Sequence, residues 1–345
     1  MGKETTIYDI AKELKLSPAT VSRALNDHPA ITLKTKSLIT TKAKELGYRS
    51  NKFASNLRRQ KTNTIGVIVP RLNSYLMSTV LAGMEKVANE AGYNLIISQS
   101  LESQKKEIVN ARTMFDGRVD ALLVSVAYDT DSYEHFEAFI NKKIPLVFFD
   151  RVIEQFDCTS IVIDNVKGGY EATRHLIDEG CRRIMHVTGS LKRNVYADRL
   201  RGYRLALAEN GIAFEEDWLV VTDLSPEAGR KMAKKIQQLR PGFDGLFVAN
   251  DSCAVSCMGA LKQAGISVPG DLAVVGFNDD PLAEVIEPQL TTVHYPGKEM
   301  GEIAMQTLIN HLNGSLNMHP ADLIVLRSEL IVRQSSRKSQ AQGTL

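Results

Sequence analysis

The sequence predicts a small all-α head followed by a larger α/β body made of two wound lobes. Short amphipathic helices with clear start and stop signals fill the first 50 residues. From Thr64 onward, apolar runs of strand length alternate with stretches of helix length, an order that produces parallel β/α winding. The chain has 345 residues, of which 43% are hydrophobic, so it can form two or three compact units.

Two helices are predicted at the start of the head. Thr6 and Asp9 fit a capping box, from which a first helix continues through Leu14. Ser17 is a good N-cap and Pro18 suits the first position of a second helix, because its missing N–H group leaves no bond unmade there. A connection of about three residues between these helices predicts a helix-turn-helix.

A third helix completes the head. Thr32 is expected to cap it, and Leu38, Ile39 and Ala43 follow at helical spacing. Gly47 is expected to end it, because glycine adopts the left-handed conformation after a helix end at no steric cost.

Charge is distributed unevenly along the chain. Residues 1–62 contain 13 Lys and Arg against 5 Asp and Glu, whereas the remaining residues contain 29 against 35. A basic head on an acidic body is typical of a nucleic-acid-binding protein, because neutralising phosphates dominates affinity. A three-helix module that binds another protein is the alternative.

Composition and motifs limit the other functions. No apolar run reaches the length of a membrane span and no secretory signal is seen, so a cytoplasmic protein without membrane association is expected. Cys253 and Cys257 could share a helix face, but no histidines at ligand spacing accompany them, so no metal or cofactor is expected. The sequence contains no GxSxG, P-loop, GxGxxG after a strand, or HExxH, and no enzyme activity is expected.

The body contains two series of predicted strands. The first lies at 65–69, 93–97, 121–124 and 145–149, and the second, which begins near Ser160, at 184–188, 219–222, 245–249 and 272–276. The segments 290–294 and 323–332 are expected to cross back and complete the first lobe. Wound sheets of this kind bind ligands in the crevice at the carboxyl ends of their strands.

Polar side chains follow these strands and suit a hydroxyl-rich ligand, because carboxylates accept and guanidinium groups donate hydrogen bonds. They are Asp150, Arg151, Asp164, Asn165, Arg193, Asn194, Arg199, Asn250, Asp251, Asn278 and Asp279. For Asp164 and Asp251 a helix cap is the alternative, and Arg193 could line only the mouth of the crevice. A periplasmic-type binding protein and a sugar kinase are the competing functions. The basic head argues against the first, and the missing phosphate-binding loop argues against the second.

The runs TIYDIAKEL (6–14), LSPATVSRALN (16–26) and AKELGY (43–48) resemble the head of the lactose-repressor (LacI/GalR) family. The resemblance implies a transcription regulator, expected to be a repressor, that binds a palindromic operator as a homodimer and responds to a carbohydrate effector. It also implies a periplasmic-binding-protein-like body. The implied domains are a helix-turn-helix domain (1–50), a hinge (51–62) and a two-lobed effector-binding and dimerisation domain (63–345).

The resemblance also implies DNA contacts. Positions matching Pro18, Ala19 and Arg23 face base edges in the family, and a guanidinium fork such as that of Arg23 can bind guanine through two hydrogen bonds. In the hinge, the family inserts a leucine matching Leu57 into the minor groove, although a plain tether would have similar composition. The full expected set is Thr6, Tyr8, Ser17, Pro18, Ala19, Thr20, Ser22, Arg23, Asn26, Asn51, Lys52, Ala54, Leu57 and Arg58.

Effector contacts are implied in the same way. In the family, positions matching Asp150, Arg199, Asn250 and Asn278 contact the effector, and a turn matching residues 75–77 closes one wall. The full expected set is Tyr75, Leu76, Asp150, Arg151, Asp164, Arg193, Arg199, Asn250 and Asn278. Two positions depart from the family pattern: Asn278 replaces a frequent Asp, and Leu224 replaces an aromatic residue that stacks on the ligand.

Overall fold

The computed structural model describes residues 5–48, 61–153, 158–239, 242–319 and 322–338. The chain divides into two compact units, with the boundary between Thr62 and Asn63. Within the described ranges, no helix is both long and apolar enough to cross a bilayer.

The head consists of α1 (Ile7–Leu14), α2 (Pro18–Leu25) and α3 (Leu33–Glu45), which confirms the three predicted helices. The capping box is present, because the Asp9 carboxylate accepts from the Thr6 backbone N–H at 2.8 Å.

The other two head helices also begin at side-chain caps. The Ser17 hydroxyl accepts from the Thr20 N–H at 3.1 Å, and the Thr32 hydroxyl accepts from the N–H of Thr35 at 3.3 Å. Gly47 has a φ of +63°, the left-handed conformation expected after α3.

The head has a small core of its own. Its buried members are Ile10, Ala11, Val21, Ala24, Ile39 and Ala43. Leu38 of α3 lies outside this core, because its side chain is 54% exposed. Leu38 precedes the buried Ile39 by one residue, and the helical rotation of about 100° turns it away from the core.

The body alternates strands and helices as predicted. Its elements in chain order are β1 (Thr64–Val69), α4 (Tyr75–Glu90), β2 (Asn94–Gln99), α5 (Gln104–Asp116), β3 (Ala121–Val124), α6 (Glu134–Asn141), β4 (Leu146–Phe149), β5 (Thr159–Ile163), α7 (Asn165–Asp178), β6 (Ile184–Thr188), α8 (Asn194–Glu209), β7 (Leu219–Val221), α9 (Pro226–Gln238), β8 (Gly245–Val248), α10 (Asp251–Gln263), β9 (Ala273–Asn278), α11 (Leu282–Val285), β10 (Thr291–His294), α12 (Gly297–Leu312), β11 (Leu323–Leu326) and β12 (Glu329–Ile331).

The strands form two six-stranded sheets. The first sheet has the order β11-β5-β4-β3-β1-β2, and each of its neighbouring pairs is parallel. The second has the order β12-β10-β9-β8-β6-β7, in which only the β12–β10 pair is antiparallel. We call each sheet with its packed helices a lobe: the first lobe includes α4, α5, α6 and α12, and the second includes α7 to α11.

The C-terminal segments divide between the lobes, which corrects part of the prediction. Residues 290–294 were expected in the first lobe, but β10 pairs with β9 in the second sheet, with Thr291 opposite Val275. Only β11 completes the first sheet, where Leu323 pairs with Ser160 of β5. The chain then returns, and β12 joins the edge of the second sheet. Three connections therefore join the lobes, and they follow β5, β10 and β11.

Candidate functional site

The second head helix presents an exposed polar face. Ala19, Arg23 and Asn26 are exposed, whereas Val21 and Ala24 on the other side of α2 are buried in the head core. The positions 19, 22, 23 and 26 share one face because residues three and four apart lie together on a helix. This face can offer a guanidinium fork, small side chains and an amide to a base edge.

The remaining head residues of the predicted set surround this face. Tyr8 is 68% exposed, and Thr6 is exposed beside it at the start of α1. Ser17 and Thr20 hydrogen-bond to each other at 2.8 Å while capping α2, and Asn26 donates to the carbonyl of Ser22 at 2.7 Å. The predicted hinge residues Asn51, Lys52, Ala54, Leu57 and Arg58 lie outside the described residues.

Asp150 lies directly after β4, on the first-lobe side of the crevice. It is 4% exposed and has a left-handed φ of +58°, which turns the chain sharply at the strand end. Its carboxylate accepts from the Tyr295 hydroxyl at 2.8 Å and from the Ser125 hydroxyl at 3.3 Å. Tyr295 follows β10 of the second sheet, so this hydrogen bond joins residues from the ends of strands in both lobes.

Arg151 is held by an ion pair and by aromatic rings. Its guanidinium donates to Glu102 at 2.7 Å and to the Tyr196 hydroxyl at 3.2 Å, and it lies 4.3 Å from the centre of the Tyr128 ring. Burial lowers the pKa of Arg151, but Tyr196 and Glu102 outweigh it and hold the pKa well above its ordinary value. Because its guanidinium is already bonded to Glu102 and Tyr196, Arg151 connects the first lobe to the second.

Arg199 of α8 is 3% exposed in the second lobe. Its guanidinium donates to the Asn165 side-chain oxygen and to the Ala249 carbonyl, each at 2.9 Å, and lies 3.5 Å from the centre of the Phe277 ring. Burial lowers the pKa of Arg199, because no charged partner contacts it among the described residues. These hydrogen bonds to neutral groups fix the orientation of the Arg199 guanidinium, whose positive charge lies in the crevice wall.

Arg193 lies at the start of α8 and reaches across the crevice. One of its terminal nitrogens donates to the carbonyl of Thr130, in the first lobe, at 2.6 Å. Its Nε is buried and has no hydrogen-bond partner among the described residues. Arg193 is 6% exposed, so it lies inside the crevice rather than only at its mouth.

Several predicted residues act as helix caps. Asn250 caps α10, because its side-chain oxygen accepts from the Cys253 N–H at 3.1 Å, and the suggestion that Asp251 caps this helix is wrong. Asp164 caps α7 by accepting from the Lys167 N–H at 2.9 Å, and it is exposed. The structure therefore supports the capping interpretation for Asp164, and Asn250 caps a helix two residues after the end of β8.

A cavity of about 710 Å³ lies between α4 and α12 of the first lobe and the segments that follow β9 and β10 of the second sheet, and neither Asp150 nor the three arginines line it. Its wall includes Tyr75, Leu76 and Asn278 from the predicted set, together with Tyr295. The first two belong to the first turn of α4 rather than to a separate turn. Because Tyr295 also bonds to Asp150, it connects this cavity to the buried polar cluster that contains Arg151, Arg193 and Arg199.

Sequence reasoning missed the tyrosines of this site. Tyr295 occupies the position directly after β10, so the rule that selected polar residues at strand ends could have found it. Tyr196 lies three residues from both Arg193 and Arg199 on α8, which places all three on one helix face. Leu224, which replaces the expected aromatic residue, is 6% exposed and has a left-handed φ of +54°.

Comparison with known proteins agrees with both units. Residues 6–51 match the family model for bacterial regulatory proteins of the lacI family, and residues 173–336 match the periplasmic binding protein-like domain. The HTH-type transcriptional regulator RegA of Clostridium saccharobutylicum is 33% identical over 333 residues, which cover 96% of this chain and 99% of RegA.

Solved structures show the same architecture. The transcriptional regulator CelR in complex with cellobiose aligns with a TM-score of 0.72 and 26% identity, covering 96% of this chain and all of CelR (100%). The lac repressor dimer bound to operator and the anti-inducer ONPF aligns with a TM-score of 0.86 over 97% of this chain and 99% of that one. Its identity of 24% supports a shared fold.

A helix-turn-helix head and a two-lobed body with a polar crevice define the class of ligand-controlled DNA-binding regulators. The chain belongs to the lacI family of bacterial transcription regulators. Its family is one of DNA-binding proteins rather than of enzymes, as the sequence predicted.

Proposed function

We propose that this protein is a cytoplasmic repressor that binds a palindromic operator as a homodimer, and that a sugar or sugar derivative in the crevice controls its operator affinity. DNA binding is assigned to residues 1–50, the hinge to 51–62, and effector binding with dimerisation to 63–345. The observation that carries the proposal is the exposed face of α2, where Ala19, Arg23 and Asn26 lie opposite a buried core. One helix-turn-helix contacts few bases, so a two-fold dimer supplies the second half-site.

The crevice supports a hydroxylated effector. Asn278 lines the cavity between the lobes, and the Asp150 carboxylate lies behind Tyr295 of the same wall, from whose hydroxyl it accepts. An amide can both donate to and accept from hydroxyl groups, and a carboxylate can accept from them. The related regulator CelR was solved with cellobiose, a sugar. The edge strands β2 and β7 expose Ile96, Ile97 and Val221, apolar surface that a second copy can cover.

Operator recognition is tested with Arg23→Ala in the full-length protein. An operator is first selected from a random duplex library with the wild-type protein, and affinity for it is compared with that for a scrambled duplex. We expect Arg23→Ala to lose about 1–3 kcal/mol of discrimination, because the fork that distinguishes guanine is removed.

Lys44→Ala is the matched control, since Lys44 is an exposed cation of α3 outside this face. It should keep the preference for operator over scrambled duplex. An unchanged preference in Arg23→Ala would contradict the proposed role of this helix face.

A further inference from the structure

We propose that the effector carries an anionic group, a carboxylate or a phosphate, which binds at the N-terminus of α8 against Arg193. The inference rests on the proposed function, because it concerns the same crevice, and it narrows the ligand from sugars in general to hydroxylated acids.

The first observation is the state of the Arg193 guanidinium. It is 6% exposed, and in the part of the chain that the structure describes its Nε has no hydrogen-bond partner and its only acceptor is the neutral carbonyl of Thr130. A buried charge normally has a partner of opposite sign, because removing an ion from water is strongly unfavourable. An anionic ligand would supply that partner and also satisfy Nε.

The nearby carboxylates have other partners. Glu107 is fully buried, and its oxygens accept from three groups of the first lobe, the N–H of Ala127 at 2.8 Å, the hydroxyl of Thr130 at 3.0 Å and the ring of His135 at 3.1 Å. Burial and the neighbouring Arg151 lower the pKa of Arg193, and the carboxylates around it do not offset them. The site therefore retains a deficit of negative charge.

A second carboxylate near Arg193 is also paired. Asp131 forms an ion pair with Lys192 at 2.8 Å on the rim of the crevice, where both side chains are more than half exposed. The Lys192–Asp131 ion pair is exposed to water, unlike the buried guanidinium of Arg193, and an exposed ion pair contributes little stability. It can close the rim over a ligand without competing for Arg193.

The helix itself adds to the attraction. Arg193 occupies the N-cap position of the 16-residue α8, and its side chain does not cap the first N–H groups of the helix; among the described residues no other side chain accepts from the N–H groups of Asn194 and Val195. The next side chain, Asn194, is turned away toward the N–H of Val152 at 3.0 Å and the carbonyl of Asp150 at 3.1 Å. The uncapped amides and the helix dipole favour an anion beside the guanidinium.

The opposite part of the site suits neutral hydroxyl groups. Asp150 accepts from the hydroxyls of Tyr295 and Ser125, and no cation bonds to it among the described residues, so its charge disfavours a second anion here while its oxygens can accept from a ligand hydroxyl. Together with the anion site, this arrangement fits a polyhydroxylated acid with its charge at one end. A uronic acid and a sugar phosphate share this chemistry.

The test is a thermal-shift measurement on the full-length protein with matched pairs of ligands. The pairs are D-glucose with D-glucuronate, D-galactose with D-galacturonate, and D-glucose with D-gluconate and with D-glucose 6-phosphate. We expect at least one acid to raise Tm in a concentration-dependent way while its neutral partner leaves Tm unchanged, since a ligand that binds the native state stabilises it. Stabilisation by the carboxylates or by the phosphate identifies which anion is used.

Variants connect the preference to Arg193. Arg193→Gln should weaken binding of the stabilising acid about tenfold or more in calorimetry, because a charge-assisted hydrogen bond is lost. Arg193→Lys keeps the charge and should retain the preference for the acid over the neutral sugar. This second variant keeps the inference testable if Arg193→Gln does not fold. Arg201→Gln is the control, because Arg201 lies on the same helix with its side chain 66% exposed.

Three results would overturn the inference: equal stabilisation by neutral sugars and their acids, no stabilisation by any acid of the panel, or unchanged acid affinity in Arg193→Gln. Operator binding is measured separately on the same preparation. A protein that binds its operator and responds only to neutral sugars would keep the proposed function and lose this inference.

Discussion

At the scale of single residues, Asp251 shows how the fold changes the pKa of a carboxyl group. It is fully buried at the first position of α10, where its carboxylate accepts from the Thr292 hydroxyl at 2.7 Å and from the Asp280 N–H at 2.9 Å. Burial raises the pKa of Asp251 to about 7 from an ordinary value of 3.8, although the hydrogen bonds oppose the shift. Asp251 follows β8 in the chain, and its partner Asp280 follows β9, the neighbouring strand of the second sheet.

This shift predicts a stability that depends on pH. Between about pH 4 and pH 7 the unfolded chain has lost the Asp251 proton while the native protein retains it, so the native state binds more protons and stability falls as pH rises. Replacement by a neutral amide, Asp251→Asn, should flatten this part of the pH dependence in urea unfolding.

The exposed variant Asp178→Asn should leave the slope unchanged, because Asp178 lies at the end of α7 with its side chain 56% exposed. An equally steep fall in stability in Asp251→Asn would show that other groups cause it.

At the scale of elements, two glycines allow α4 and α12 to pack closely in the first lobe. A Cβ atom on Gly83 would collide with the backbone carbonyl of Lys298, and one on Gly301 would collide with the carbonyl of Val80. Backbone atoms cannot move aside as a flexible side chain does. The contact therefore fixes the position of α12 after the chain has crossed from the second lobe.

Gly83→Ala should destabilise the protein by about 1–3 kcal/mol, as overpacking of a tight interface does. The measurement is urea unfolding, with the midpoint and slope compared between variants.

Gly259→Ala is a matched control in α10, where no heavy atom lies within 4 Å of the added Cβ. It should raise stability by up to about 1 kcal/mol, because alanine is favoured over glycine inside a helix. Equal effects of the two substitutions would contradict the packing argument.

At the scale of the whole body, the lobes are joined through the start of α8. The Tyr196 hydroxyl bonds to the Tyr128 hydroxyl at 2.8 Å, and the Asn194 side chain bonds to the N–H of Val152 at 3.0 Å. Arg193 and Lys192 add contacts to Thr130 and Asp131. Separation of the lobes must break these bonds, so a crevice ligand and the interlobe contacts act on one equilibrium.

Tyr196→Phe should shift this equilibrium toward separated lobes, because it removes the hydrogen bonds to Tyr128 and Arg151 at once. We expect faster backbone hydrogen exchange around 126–131 and 190–196 in the full-length protein, and a larger radius of gyration of the whole protein by solution X-ray scattering.

Tyr170→Phe is the control, since the Tyr170 hydroxyl bonds to Glu209 at 2.6 Å within the second lobe. It should leave the exchange of both segments as in the wild type. If Tyr196→Phe behaved in the same way, this hydroxyl would not hold the lobes together.

The sequence by itself determined the elements and their order. Caps such as Ser17 and Thr32, the glycine after α3, and apolar runs of strand length act over a few residues, and local signals of this kind survive in the amino-acid order. Polar residues at strand ends also marked the crevice walls, because parallel strands bring their carboxyl ends to one edge. The family resemblance of the head followed from the same printed residues.

Only the tertiary structure decided which sheet each C-terminal strand joins, and which polar groups remain unsatisfied. β10 (TTVH) is largely polar and β11 (LIVL) is wholly apolar, but neither sequence indicates its partner strand. β10 pairs with β9, the strand before it, whereas β11 pairs with β5, far earlier in the chain. The bond from Tyr295 to Asp150 spans 145 residues and the bond from Arg193 to Thr130 spans 63, while the buried Nε of Arg193 has no partner among the described residues. Such contacts arise from packing between distant segments, which local periodicity does not encode.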